Sequence, residues 1–262
     1  MHTITPDIDE PHFLLELLLD IAIHQFSCGA HTEKVIRIGR RISHARGYDA
    51  DYLIMPQSLS ISLSRTGARH ARITAVRSIL PLALDFSKNN ALSALSWQAE
   101  NSDVSLPRLR ALFQEIIARP RLNPHLVTLL ISCANASFCY LFGGDMPAMG
   151  LVLCGTACGF ELRRALNLRG VHHLLALILA SLLASLIAGL AVTHNLSTTP
   201  AVALATSVLY LIPGVPLLNS LIDILDGHVL TGLAWLVNAC TLIICISLGL
   251  LGTMFLLGID KL

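Results

Sequence analysis

The chain has 262 residues, of which 54% are hydrophobic and only 13% are charged, whereas a soluble domain usually carries about 25% charged residues. The net charge of +1 gives no basis for binding nucleic acid. The mean hydropathy of +0.67 predicts an integral membrane protein whose apolar surface lies in a lipid bilayer.

The charged residues are concentrated before Pro124. The few Lys and Arg residues that follow it are Arg163, Arg164, Arg169 and Lys261. No Asp, Glu, Lys or Arg occurs in 174–222 or in 227–259. We therefore predict a membrane protein with two domains. A small cytosolic α+β domain at 1–123 is followed by a bundle of about five transmembrane α-helices at 124–262.

The polar half begins with helical periodicity and then changes to the periodicity of strands. Helices are predicted at 13–26, 32–46 and 86–100, and after Ser105, with Thr32 as the N-cap of the second helix. Residues 58–64 alternate Ser with Leu or Ile, which is typical of a half-buried strand. The segments 52–55 and 72–76 are strand-like neighbours, so we expect a small antiparallel sheet.

Two features of this half bear on location and binding. The apolar run 13–23 contains Glu16 and Asp20 and has no basic leader, which favours an amphipathic helix over a cleavable signal peptide. The helix at 32–46 carries a row of basic residues around an apolar stripe. Such a helix can bind anionic lipid or a ligand, but we favour a solvated helix face.

The apolar half contains five segments near the roughly 20 residues that a membrane helix needs. They are 125–142, 147–164, 172–193, 201–222 and 229–257. The three arginines that follow Pro124 lie at the end of span two and in the loop that leads to span three, whereas the loops 143–146 and 194–200 lack Lys and Arg. Basic loops face the cytoplasm, so we predict a cytoplasmic amino terminus and, after five crossings, a periplasmic carboxyl terminus in a bacterial inner membrane.

The apolar half shows no sign of enzyme chemistry. The chain contains no HExxH, GxSxG or GxxxxGK[ST] motif, so we expect neither catalytic residues, nor a metal, nor a cofactor. Cys154 and Cys158 are interpreted as small packing residues. The GxxxG at 155–159 and the rows of Ala and Ser at 180–189 are typical of close helix packing, and we expect the rows to be available to a partner.

Span four carries the clearest functional signal. Pro213 and Pro216 each lack an amide proton and flank Gly214, so the helix is predicted to break there, within or near the membrane. Broken helices bind solutes in many transporters. Asn219 and Asp223 follow on one helix face, which makes all five residues candidates for the substrate pathway. For Asp223, capping of the cytoplasmic helix end beside Asp226 is an equally weighted interpretation.

This region resembles the threonine/serine exporter family. The matching residues are Pro213-Gly214-Val215-Pro216, Asn219, Asp223, Gly227 and Gly232. Near the start, Gly29-Ala30-His31-Thr32 and Val35 are similar to the family's Gly-Ala-Glu-Thr/Ser segment, and Gly143-Gly144 also fit. His31 replaces the usual Glu, and Lys34 stands where many members have Arg. The resemblance covers nearly the whole chain and is closest to the stand-alone subunit type.

The resemblance implies a function and a partner. Fused members of the family carry this cytosolic domain, about five spans and a second set of about five spans. This chain stops after the first set, so the resemblance implies a small integral-membrane partner equivalent to the second half. Members are associated with export of threonine and serine, and split members with succinate and related C4-dicarboxylates. The alternative is a membrane-anchored ligand sensor or regulator that uses the 1–123 domain.

Overall fold

The computed structural model describes residues 10–67, 72–120 and 122–259. Within them the chain forms helices, one short 3₁₀ helix and a single sheet. The amino-terminal elements are α1 (Glu10–Ser27), α2 (Thr32–His44), β1 (Tyr48–Ile54), β2 (Ser58–Arg65), β3 (Arg72–Ser78), α3 (Phe86–Asn101) and α4 (Leu106–Ala118). The remaining elements are α5 (Pro124–Leu141), α6 (Met146–Leu168), α7 (His173–Thr193), α8 (Pro200–Thr206), the 3₁₀ turn Leu209–Leu211, α9 (Gly214–Leu225) and α10 (Val229–Leu257).

The predicted elements of the amino-terminal part are confirmed. The three strands form an antiparallel sheet in the order β1-β2-β3, and Leu59, Ile61 and Leu63 of β2 are buried in a core built around α1. The predicted capping role of Thr32 is wrong. His31 occupies the N-cap and Thr32 is the first helical residue, and the Thr32 hydroxyl does not accept from a helix amide but donates to a carboxylate described below.

The chain separates into two compact units. The first comprises the described residues up to Pro120 together with Val215–Val237. The second comprises the described residues from Leu122 to Gly214 and from Asn238 onward. The sequence placed 215–237 with the membrane spans, whereas the structure groups this segment with the amino-terminal part. Hydrogen bonds from α9 and α10 to that part explain the grouping, for example from Thr231 Oγ1 to the Ile54 carbonyl at 3.0 Å.

Three helices of the described chain are long and apolar enough to cross a membrane, namely α5, α7 and α10. A fourth span arises if α8 and α9, which are separated by a short break, count as one. Helix α6 covers the predicted second span but carries Glu161, Arg163 and Arg164 and is not among the helices that qualify. A membrane protein is supported, while the count of five spans stays a prediction.

Within the second unit, α7 packs closely against its neighbours through small residues. The rows predicted at 180–189 are buried. A Cβ at Gly155 of α6 would lie 2.7 Å from the Ala184 carbonyl oxygen, and one at Gly249 of α10 would lie 2.6 Å from the Ile178 carbonyl oxygen. The close packing is confirmed, but the rows are used inside the chain, so their predicted availability to a partner is wrong.

Cys154 and Cys158 differ from the prediction as well. Both thiols are exposed on the described chain, because Gly155 and Gly159, rather than the cysteines, occupy the face of α6 that approaches α7. The two cysteines therefore do not pack within this chain.

The loops at 143–146 and 194–200 are joined by one carboxylate. Asp145 caps α6 by accepting from the Ala148 amide at 2.9 Å, and it accepts from Ser197 Oγ at 2.7 Å and from the Thr198 amide at 2.6 Å. These hydrogen bonds, the largest effect coming from Ser197, hold the pKa of Asp145 well below its usual range. Helices α6 and α7 separate the two loops along the chain. The predicted topology therefore requires both loops to lie on the same side of the membrane.

We predict that Gly155→Ala lowers the stability of the second unit, because its methyl group has no room against the Ala184 backbone. Overpacking of this kind costs about 1–3 kcal/mol. The apparent melting temperature of the detergent-solubilised chain should fall.

Gly150→Ala on the same helix is the matched control, since a Cβ there meets open space. It should leave the melting temperature unchanged or raise it slightly through helix propensity. Equal behaviour of the two variants would contradict the tight contact between α6 and α7.

Candidate functional site

The site is built around the Asp223 carboxylate on α9. The residue is 1% exposed. Its Oδ1 accepts a hydrogen bond from the Thr32 amide, and its Oδ2 accepts one from Thr32 Oγ1, each at 2.8 Å. Two segments that the sequence indicated separately, and that lie far apart along the chain, therefore meet at one carboxylate within the first unit.

The start of α2 provides the physical reason for this contact. The first amide groups of a helix have no partner within the helix, and the helix dipole favours negative charge at this end. His31 occupies the N-cap with φ −80° and ψ 163°, and its side chain forms no capping hydrogen bond within the described structure. Asp223 takes over the capping role from a different helix, so its charge is buried against two donors and a positive helix end.

Asn219, one turn before Asp223 on α9, fixes the segment that leads into α2. Its Nδ2 donates to the Gly29 carbonyl at 2.9 Å. Gly29 has a φ of +94° and ends α1 in a Schellman arrangement, in which the Ala30 amide donates to the Gln25 carbonyl at 3.0 Å. This left-handed turn brings Ala30 and Thr32 to α9, and a side chain at position 29 would strain it.

A small cavity lies beside these hydrogen bonds. Its volume is about 30 Å³, which suits about one water molecule and is too small for a four-carbon solute. The lining residues are Phe26, Ala30, Leu82, Val215, Pro216, Asn219, Asp223 and Trp235. The described conformation is therefore closed around the Asp223 carboxylate.

Acidic side chains and histidines lie close together around the site. Glu33 of α2 lies 3.5 Å from His228 Nε2. Burial lowers the pKa of His31, and the nearby carboxylates of Asp223 and Asp226 oppose this shift. Because folded His31 binds a proton less readily than unfolded His31, it favours folding at neutral pH. That contribution is lost as the pH falls below the unfolded value of about 6.5.

Three other predicted residues support this arrangement from within the first unit. Gly232 allows α10 to approach α9, since a Cβ there would lie 2.7 Å from the Ser220 carbonyl oxygen. Gly227 has a φ of +88° and ends α9. Val35 is 1% exposed and belongs to the hydrophobic core.

The remaining predicted residues do not join the site. Pro213 and Gly214 belong to the second unit and lie at the predicted break, which the structure places between the 3₁₀ turn and α9. A Cβ at Gly214 would meet open space. Gly143 and Gly144 lie at the end of α5. The roles of Pro213 and Gly214 in a substrate pathway, and of Gly143 and Gly144 as family-motif positions, stay predictions.

Sequence reasoning missed Asn135, a buried residue of α5 in the second unit. Its Nδ2 donates to Thr156 Oγ1 at 2.7 Å and to the Thr206 carbonyl at 3.1 Å. Thr206 is the last residue of α8, so Asn135 satisfies a carbonyl near the helix break, as an apolar environment requires. The available signal was an isolated amide side chain within an otherwise apolar segment.

No group of three or more His, Cys, Asp or Glu side chains suited to a metal occurs in residues 10–67, 72–120 and 122–259. The chemistry at Asp223 is hydrogen bonding and charge, provided by one carboxylate, one hydroxyl, one amide side chain and a helix terminus.

We predict that Thr32→Val destabilises the first unit by about 1–3 kcal/mol, because it leaves a buried carboxylate oxygen without its donor. Thermal unfolding of the purified chain measures the change. Thr66→Val, the same change at an exposed turn, is the control. Equal stability of the two variants would show that the Thr32–Asp223 hydrogen bond contributes nothing.

The comparisons with known proteins agree with the resemblance. The model of the ThrE family, described as "Putative threonine/serine exporter", matches residues 16–257. A Klebsiella aerogenes protein named "Probable succinate transporter subunit YjjP" is 25% identical over 254 residues, covering 95% of this chain and 96% of that protein.

An Escherichia coli K12 protein of the same name is 32% identical over 125 residues, covering 47% of this chain and 49% of that protein. No solved structure matches the chain. The family match begins within α1, ends with α10 and includes Thr32, Asn219 and Asp223. The chain therefore belongs to the threonine/serine exporter family.

Proposed function

We propose that the chain is one subunit of a bacterial inner-membrane secondary exporter of small carboxylate solutes, either succinate and related C4-dicarboxylates or threonine and serine. It works with a second small membrane subunit. Its amino terminus faces the cytoplasm and its carboxyl terminus the periplasm. Membership of the exporter family and the names of the two relatives support this proposal.

The observation that carries the proposal is the pairing of Thr32 with Asp223. The Thr32 amide and hydroxyl, at the positive end of α2, form a carboxylate-binding pair. In the described conformation the protein's own carboxylate occupies this pair, and the adjacent cavity has room for only about a water molecule. The conformation is therefore interpreted as the closed, solute-free state.

Solute and Asp223 compete for the same donors in this mechanism. When α9 moves away from the start of α2, a solute carboxylate takes the place of Asp223 on Thr32. After release, Asp223 returns and closes the site, so that the donors are never left unpaired in an apolar environment. On closure the Asn219 side chain again donates to the Gly29 carbonyl and so returns α9 to its position beside that turn. The helix break before Gly214 gives α9 a place to pivot.

The surface of the second unit supports the partner. Helices α5 and α10 expose apolar side chains, including Leu129 and Phe138 on α5 and Ile244, Leu248 and Phe255 on α10. Such faces suit lipid or another membrane helix. The word "subunit" in the names of both relatives agrees with a complex in which one of these faces binds a second protein.

We predict opposite effects on binding for the two members of the pair. Thr32→Val should weaken solute binding and export roughly tenfold or more, the effect of losing one hydrogen bond to a charged group. Asp223→Asn should lower export to a similar extent but leave solute binding unchanged or tighter, because the competing charge is removed. Binding is measured by calorimetry on the purified complex, and export by the solute concentration outside cells.

Matched variants separate these effects from general damage. Thr32→Ser retains a hydroxyl and should export, and Asp226→Asn, an exposed change in the same turn region, should behave like the wild type. Asn219→Ala should weaken export, whereas Leu218→Ala on the exposed face of α9 should not. Normal export by Asp223→Asn, or normal binding by Thr32→Val, would contradict the competition.

We predict that the chain expressed alone does not lower intracellular succinate, threonine or serine, because it supplies only one half of a paired transporter. Co-expression with a membrane subunit similar to the second half of fused members should lower at least one of them and raise it outside. Full export by this chain alone, in a host without such a subunit, would show that the partner is unnecessary and point to a homo-oligomer.

A further inference from the structure

A second cavity in the first unit lies between α2 and α3, and three of its six lining residues are cations. Its volume is about 270 Å³, close to the lower end of the range typical of small-molecule sites. The lining residues are Lys34, Arg37, Ile38, Arg41, Ser93 and Trp97. We call this cavity the basic pocket, and none of its residues takes part in the Thr32–Asp223 site.

The basic pocket is preorganised on one side. The guanidinium of Arg41 lies over the ring of Trp97, 3.4 Å from its centroid. Arg41 also donates to Ser96 Oγ at 2.8 Å, and its Nε lies 3.3 Å from Glu100. Three partners thus fix the Arg41 side chain, and Glu100 balances its charge. Fixed cations of this kind lose little side-chain entropy when they bind a ligand.

The other side of the basic pocket carries two uncompensated charges. Lys34 and Arg37 lie three residues apart on the same face of α2. Among the described residues neither of them pairs with a carboxylate, since the nearby Glu33 pairs with His228 and Glu100 pairs with Arg41. Burial and the charge of Arg37 lower the pKa of Lys34, the effect expected where positive charge lacks a neutralising anion.

We propose that the basic pocket binds a small soluble dianion, such as a dicarboxylate or a phosphate. Two negative charges neutralise Lys34 and Arg37, and the Ser93 hydroxyl provides one more polar contact. Ile38 and the edge of Trp97 provide apolar surface for a short carbon chain. This site goes beyond the proposed export site and does not depend on it, since it uses different residues and a different cavity.

The size and the lining residues of the basic pocket favour a free anion over a lipid headgroup. A lipid site also needs apolar surface for the acyl chains, whereas four of the six lining residues are basic or hydroxylic and only Ile38 and Trp97 are apolar. The volume of about 270 Å³ is sufficient for a small free dianion. The expected ligand is therefore soluble, and binding only to anionic lipid would overturn the proposal.

The test uses the full-length chain, purified in detergent and titrated calorimetrically with succinate and, separately, with inorganic phosphate. We expect at least one of these dianions to bind, with acetate, a monoanion, binding at least tenfold more weakly. The double variant Lys34→Met, Arg37→Gln should lose binding by roughly tenfold or more. Arg40→Gln, an exposed residue of the same helix that lies outside the basic pocket, should bind like the wild type.

Several results would overturn the proposal. These are no dianion binding by the wild-type chain, equal binding by the double variant and Arg40→Gln, or binding only to vesicles that contain anionic lipid. Unfolding curves must first show that the double variant is folded; if it is not, the single variant Lys34→Gln takes its place. The part of the binding isotherm that the double variant loses should persist in Thr32→Val, whereas the part that belongs to the export site should weaken, so failure of the export mechanism and failure of the basic pocket are distinguished.

Discussion

The arrangement of the first unit depends on a helix whose amino end lacks a cap of its own. His31 sits at the N-cap of α2 without a capping side-chain bond within the described structure, and the Asp223 carboxylate of α9 supplies what is missing. Burial of an ion is costly unless donors surround it. Three features keep the Thr32 donors next to the Asp223 carboxylate. They are the tight turn at Gly29, the Asn219 side chain and the close packing of Gly232 on α9.

This dependence explains why α9 and the start of α10 group with the amino-terminal residues. Hydropathy alone assigns 215–237 to the membrane because the segment is apolar, but hydropathy ignores individual hydrogen bonds. The four hydrogen bonds made by Asn219, Asp223 and Thr231 attach it to the turn after α1, to α2 and to β1. A segment of mostly apolar composition is thus tied to a polar domain by a few specific polar groups.

The sequence predicted elements well and contacts poorly, for identifiable reasons. The alternation at 58–64 and the helical periods before and after it report local geometry, so strands and helices were found nearly in register. The helix break at Pro213 follows from the chemistry of proline. The union of Thr32 with Asp223 was not predicted, because the two residues are distant in sequence and no local pattern encodes their meeting.

The same limit applies to the small-residue rows of α7 and to Asn135. A row of alanines indicates that another helix packs closely against it, but does not indicate whether that helix belongs to the same chain. A single Asn in an apolar segment indicates that its side chain needs a hydrogen-bond partner, but does not identify that partner. In both cases the partner proved to be inside this chain, at Gly155 and Gly249 in the first case and at Thr156 and Thr206 in the second.

The burial of α7 has a consequence for biogenesis. A helix whose close-packing surface is already filled by α6 and α10 gives the second unit a folded core before any other protein arrives. In the proposed complex, assembly would then join two already folded subunits through the exposed apolar side chains of α5 and α10. Substitutions in the alanine and serine rows would consequently act on the lifetime of the single polypeptide in the cell, whereas substitutions on the outer faces of α5 and α10 would act on recruitment.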